Sequence, residues 1–263
     1  MKVKEVLKAL ELVAPLPLQE SYDNAGLQVG LTEAWDVSGA LLCLDVTERV
    51  VDEAIDLGCN LIVSHHPLIF RKLAQITDAN DVQRTVRKAI KNDIAIISMH
   101  TNLDNARGGV NFKMAEKLAL EQVDFFTQQR TVDEVDGASG VLGVLPEAQG
   151  AEDFIAQLKT IFQVECVQAN ELIERPIKKV ALCGGSGSFL LGDAIAAGAD
   201  AFVTGEMGYH EFFGHEQEIQ ICVIGHYQSE QYTQELLQDI INRACPEVKT
   251  YITKVKTNPI IYK

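Results

Sequence analysis

The sequence predicts an α/β protein built on a duplicated parallel-sheet βαβ core, three layers deep (α/β/α), with a smaller α/β domain in the middle of the chain. Three observations predict it: an internal repeat, apolar runs that alternate with amphipathic stretches, and histidines placed at the ends of the apolar runs. The repeat is the strongest. ALLCLDVTERVVDEAIDLGCNLIVSHH (40–66) aligns without a gap on VALCGGSGSFLLGDAIAAGADAFVTGE (180–206), so that Leu42-Cys43 meets Leu182-Cys183, Gly58 meets Gly198, Asn60 meets Asp200 and Ser64 meets Thr204. Each copy reads as buried strand, turn, amphipathic helix, glycine stop and second buried strand, the pattern of a right-handed βαβ unit on a parallel sheet.

Taken in order, residues 1–12 alternate charged and apolar positions at helical spacing. After the first copy, AIISMHTNLD (95–104) reads as a strand and aligns on ICVIGHYQSE (221–230), laying His100 over His226 and Asp104 over Glu230. Helices follow at 111–120 and about 230–244. Between the copies, SGVLGVLP reads as a strand, AEDFIAQLKTIF as a helix and QVECVQAN as a strand, with turns at 136–140 and 146–150. VKTYITKV, near the end of the chain, reads as an edge strand.

Composition narrows the function. With 263 residues, of which 47% are hydrophobic, the chain can bury one large core or two modest ones. A net charge of −14 argues against nucleic acid as a partner. No apolar stretch approaches the roughly 18 residues of a membrane span, and the first residues lack the apolar run of a signal peptide. The six cysteines are scattered without a C-x-x-C pair. Buried, reduced thiols fit a cytoplasmic protein.

The histidines carry the chemistry. In parallel sheets ligands gather beyond the carboxyl ends of the strands, and His65 and His66 directly follow NLIVS. Adjacent residues of a regular strand point to opposite sides, which suits two metals; an irregular strand end would instead let the two rings converge. Asp104 follows the next strand. His226 and Glu230 follow the corresponding strand of the second copy and share one face if they open a helix. These residues, His65, His66, Asp104, His226 and Glu230, form a candidate set for two divalent cations. Imidazole with carboxylate suits zinc, iron, manganese or nickel and disfavours calcium. His100 and Asp45 are placed behind the ligands, orienting them. Glu206 and His210 occupy the His65-His66 slot of the second copy as a diverged polar pair, and GGSGS (184–188) reads as a tight turn that could alternatively cradle an anion.

VSHHPLIF, SMHTNLDNARGGVN, SYDNAGLQVG and GHYQSE resemble the signatures of the NIF-three-like family, whose bacterial members are described as GTP cyclohydrolase type 2 homologues. The likeness runs along nearly the whole chain. It implies a dinuclear metal centre on the same five residues, a toroidal homohexamer, and a first domain formed by both chain ends (1–124 and 218–263) around a second (125–217). Tyr22 departs from the pattern, since many relatives carry tryptophan there.

The reading that follows is a metal-dependent hydrolase acting on a small molecule such as a nucleotide, by GTP cyclohydrolase-like ring opening or by phosphoester hydrolysis on water activated by two cations. The alternative is a metal-handling or regulatory protein that binds the same cations without turnover.

Overall fold

The computed structural model describes residues 1–33, 35–261 and 263. The chain forms two compact units: Met1–Ala106 with Val132–Val135 and Thr233–Ile261, and Arg107–Thr131 with Asp136–Tyr232.

The first unit is a five-stranded sheet in the order Gly26–Val29, Ala95–Ser98, Leu61–Ser64, Ala40–Cys43, Thr250–Ile252. The last four strands run parallel, and Gly26–Val29 closes one edge antiparallel. Every residue of the three central strands is buried, as a parallel sheet covered on both faces requires. On one face Leu41, Cys43, Ile62 and Ile96 pack with Val50, Val51, Val86 and Ala89 of the helices Glu48–Asp56 and Asp81–Lys91. Helix Val3–Val13, as read from its spacing, and helix Thr233–Ala244 bury Val6, Leu10, Leu237 and Ile241. Thr250–Ile252 is the expected edge strand.

The second unit is a six-stranded sheet in the order Glu121–Phe125, Val141–Gln149, Ile177–Cys183, Ala201–Thr204, Gln220–Val223, Gln168–Ala169. Its middle trio, Ile177–Cys183, Ala201–Thr204 and Gln220–Val223, is parallel, and the flanking strands are antiparallel. One face packs Val180, Leu182, Val203 and Cys222 with helix residues that include Met114, Phe154, Leu158 and Phe162. The other packs Ala181, Phe202, Ile221 and Val223 with Leu190, Leu191 and Ala194.

The two parallel trios carry the repeat. Cys43 pairs with Ser64 and Cys183 with Thr204, the same positions of the ungapped alignment. Gly58 and Gly198 both adopt positive φ (68° and 71°), and in both copies the next residue's amide bonds back to the last helical turn: Cys59 to Ala54 at 2.8 Å and Ala199 to Ala194 at 3.0 Å. This is a glycine helix stop made twice. Asn60 Oδ1 accepts from the Ser38 amide (2.9 Å), and Asp200 Oδ2 accepts from the Lys178 amide (3.0 Å), again at matching positions.

Four expectations need adjustment. First, the unit boundaries fall at 106/107 and 232/233, whereas 124/125 and 217/218 were read from sequence. Helix Val110–Lys117 buries Met114 and Ala115 in the second core, and Gln220–Val223 is hydrogen-bonded into the second sheet, so both belong there. Second, residues 146–149 continue a strand and do not form a turn. Pro146 sits where the register slips between Lys179↔Val144 and Ile177↔Gln149, so its missing N–H breaks no regular ladder bond. Third, QVECVQAN keeps only Gln168–Ala169 as strand. Fourth, the later part of the repeat is offset by one residue: Ser64 pairs with Ser98, and Thr204 with Val223. Met99 therefore matches Ile224, and His100 matches Gly225.

Candidate metal centre

In the first unit the site grows from the end of the Leu61–Ser64 strand. The His65 and His66 amides still bond to Cys43 O and Leu44 O (3.1 and 2.9 Å), but both residues lie past the regular strand. The two rings consequently lie together, their centroids 4.8 Å apart, which is the converging arrangement of an irregular strand end. Buried Ser64 fixes the turn, its hydroxyl lying 2.7 Å from Ser98 Oγ and donating to His66 O at 2.9 Å.

Each imidazole uses Nδ1 on an outer partner. His65 Nδ1 lies 2.8 Å from Met99 O, His66 Nδ1 lies 2.8 Å from Asp45 Oδ1, and His100 Nδ1 lies 2.7 Å from Asp23 Oδ1. With Nδ1 donating, Nε2 carries the lone pair. Asp104 sits in the short helix Thr101–Asn105 and brings Oδ1 to 3.5 Å from His65 Nε2. His65, His66 and His100 each offer a ligand atom within 4.8 Å of the others. His100 thus stands beside the pair, not behind it. Asp45 holds His66 Nδ1, with its second oxygen accepting from Thr257 Oγ1 at 2.7 Å.

Electrostatics holds these outer carboxylates ionised. Burial alone would push Asp23 up, but the hydrogen bond from His100, with donors from Thr101 and the Asn24 amide, outweighs it and holds the carboxyl below its ordinary range. Asp45 follows the same balance: burial opposes, and His66 and Thr257 prevail to lower it. Asp23 escaped the sequence reading. Its one signal in the sequence is the SYDNAG motif, where it follows Tyr22.

In the second unit, Gly225 at φ 94° precedes a helix of His226–Glu230. The i, i+4 geometry sets His226 Nε2 3.2 Å from Glu230 Oε2, and Glu230 is buried. His226 Nδ1 lies 2.9 Å from Glu206 Oε1, and Glu206 Oε2 accepts from Ser186 Oγ at 2.6 Å. Ser186 is the first cause of the lowered Glu206 pKa, and the neighbouring His226 adds to it against burial. Glu206 is therefore the His226 anchor. His210 is separate from it, exposed among Tyr209 and Phe213.

The GGSGS turn cradles a carboxylate of the chain itself. Gly185 has φ 58°, and a Cβ there would stand 2.4 Å from Glu230 Oε1. The Gly185 amide donates to Ser229 Oγ (2.9 Å), whose hydroxyl donates to His226 O (2.7 Å). The glycines admit Glu230 and leave no anion cradle to explain.

Within each unit, imidazoles with anchored Nδ1 atoms beside a carboxylate, Asp104 in the first and Glu230 in the second, fit a divalent transition metal, since metal-bound histidines ordinarily hold their other ring nitrogen on a carboxylate or carbonyl. The donor atoms are nitrogen and oxygen, the set that suits zinc, iron, manganese or nickel. All six cysteines are free thiols, and none belongs to either histidine group.

Known proteins resemble the chain along most of its length. A relative from Clostridium perfringens, described as a GTP cyclohydrolase 1 type 2 homolog, is 36% identical over 88% of this chain and 87% of its own length. A Lactococcus lactis relative of the same description is 31% identical over 98% of each chain. The crystal structure of Staphylococcus aureus protein SA1388 superposes with a TM-score of 0.90 at 28% identity, covering 100% of this chain and 99% of that one. The family model Duf34/NIF3 (NGG1p interacting factor 3) matches residues 1–259, and the chain belongs to that family.

Proposed function

We propose that the chain binds two divalent cations, with His65, His66 and Asp104 as donors in the first unit and His226 and Glu230 as donors in the second, and that it is a metal-dependent hydrolase of a small molecule. The observation that carries this reading is the uniform anchoring of the imidazoles: Met99 O, Asp45, Asp23 and Glu206 each hold one Nδ1, leaving four Nε2 atoms preset as donors. Bound cations lower the pKa of water and withdraw charge from substrate oxygens, which is the chemistry hydrolysis needs. The chain's own part is to fix the imidazoles, to keep Asp23, Asp45 and Glu206 ionised behind them, and to present His100 as a base or donor beside the pair.

The relatives' description as GTP cyclohydrolase homologues makes a nucleotide the first substrate class to test. A homohexamer, expected from the family resemblance, is checked by light scattering. The free thiols favour a cytoplasmic setting, and no helix among the described residues is long and apolar enough to cross a membrane.

A second reading, metal handling without turnover, has one observation in its favour. Both oxygens of Asp23 and of Asp45 are occupied by histidine and threonine partners, so neither serves as a proton acceptor for substrate. Metal analysis followed by a screen of GTP, phosphodiesters and phosphomonoesters with added zinc, manganese, iron or nickel decides between the two. Metal-dependent turnover supports the hydrolase; metal binding with no turnover on any substrate supports the handling protein.

A further inference from the structure

The His65–His66–His100 corner continues outward as a line of aromatic rings. Phe70 lies edge-on to His100, with centroids 6.1 Å apart at 86°, and Tyr22 lies edge-on to Phe70 at 6.4 Å and 65°. Both outer rings face solvent, Tyr22 65% exposed and Phe70 44% exposed. Large exposed aromatics next to one another mark a surface that binds something.

The backbone that carries the rings is held in place although the rings are exposed. Tyr22 precedes Asp23, whose carboxylate is fixed by His100 and Thr101. Phe70 follows Ile69, whose carbonyl accepts from Asn24 Nδ2 at 2.6 Å and whose amide donates to Gln28 Oε1 at 3.1 Å. The Asp23-Asn24 pair thus clamps both segments, one side chain on each. Pro67 stiffens the turn between His66 and Phe70. A ring on a backbone fixed in this way binds a flat ligand without the cost of ordering its loop.

Beyond Phe70 the chain turns basic. Phe70, Arg71 and Lys72 line one open cleft of about 560 Å³. In a chain of net charge −14, Arg71 and Lys72 have no carboxylate partner among the described residues, and Asp81 is the one acidic residue in the cleft wall. Two unneutralised cations beside an aromatic shelf select a ligand that is flat at one end and anionic at the other.

We infer that Tyr22, Phe70, Arg71 and Lys72 form the substrate-recognition lip of the first unit, and that its ligand is a planar heteroaromatic ring carrying a phosphate. The ring stacks on Phe70 and meets Tyr22 at an angle, and the phosphate faces Arg71 and Lys72. This inference rests on the reading of the adjacent histidines as the reactive site, and it supplies that site with specificity residues.

The test is calorimetric titration of the full-length protein, metal-loaded and chelator-treated, with GMP, guanosine and ribose 5-phosphate as probes. GMP should bind tightest. Phe70→Ala should weaken GMP and guanosine about tenfold or more and leave ribose 5-phosphate unchanged, as loss of a stacking platform does. Phe70→Tyr should restore binding. The double variant Arg71→Ala/Lys72→Ala should weaken GMP and ribose 5-phosphate and leave guanosine unchanged. The inference is overturned if GMP fails to bind metal-loaded protein, or if it binds these variants as it binds wild type. Intact GMP binding with no turnover would count against the hydrolase alone; turnover indifferent to Phe70→Ala would count against the lip alone.

Discussion

The two parallel-strand trios share a backbone and differ in what stands at the strand ends. In the first, the middle strand leads into Ser64-His65-His66, and the helix after the third strand begins at Thr101. In the second, the same positions hold Thr204-Gly205-Glu206, and the helix begins at His226. A carboxylate, Glu206, stands in the His66 slot, and Gly185 stands in the Asp45 slot. His66 leans on Asp45 in one copy, and Glu206 holds His226 in the other. Each copy keeps a histidine whose Nδ1 rests on an ionised carboxylate, whichever strand supplies it. The duplicated fold therefore conserves an anchoring scheme more strictly than it conserves donor positions.

The most severe way to break the comparison is to remove an inward carboxylate. Asp104→Ala should lower bound metal in metal-replete protein by at least one of its two equivalents per chain, read by elemental analysis. Glu230→Ala should do the same from the second copy. If either retains wild-type content, that carboxylate is not a donor.

Next come the anchors. Asp45→Asn and Glu206→Gln keep size and remove charge, and each should weaken metal affinity by roughly 10–100-fold, the usual cost of losing a residue that orients a metal-bound histidine. Competition with a chromophoric chelator measures it. Equal effects in the two copies would sharpen the claim that the scheme is duplicated; an effect confined to one copy would break it.

Smaller effects appear in stability. Gly185→Ala forces a side chain into φ 58° and onto Glu230 Oε1, and should cost about 2 kcal/mol in denaturant unfolding. The aligned residue of the first copy is Asp45, which needs no such space. Ser64→Ala removes a buried hydroxyl that bridges Ser98 and the His66 carbonyl, and should cost about 1 kcal/mol.

Most of the fold was legible because buried parallel strands and amphipathic helices leave periodic signals, and because the repeat could be checked against itself. Gly58 and Gly198 were readable as stops, and Thr47 as the cap whose Oγ1 accepts from the Val50 amide. The offset after Ser98 and Val223 was not readable, since His100 over His226 is the better match by residue type while the sheet pairing follows the backbone. His65, His66, Asp104, His226 and Glu230 were nameable from strand-end position. Asp23 was not, because it reaches His100 across a long stretch of chain from a loop, and nothing local marks a loop aspartate as an anchor. The role of Glu206 was hidden for the same reason: its partners Ser186 and His226 come together only when the three parallel strands align their ends.

Two metal-donor sets built on one anchoring scheme should together hold two cations per chain. Elemental analysis of the wild-type protein, purified without chelators and dialysed against zinc, manganese, iron or nickel, tests it most directly. Two equivalents of one such metal per chain are expected. A content below one equivalent under metal-replete conditions would contradict it.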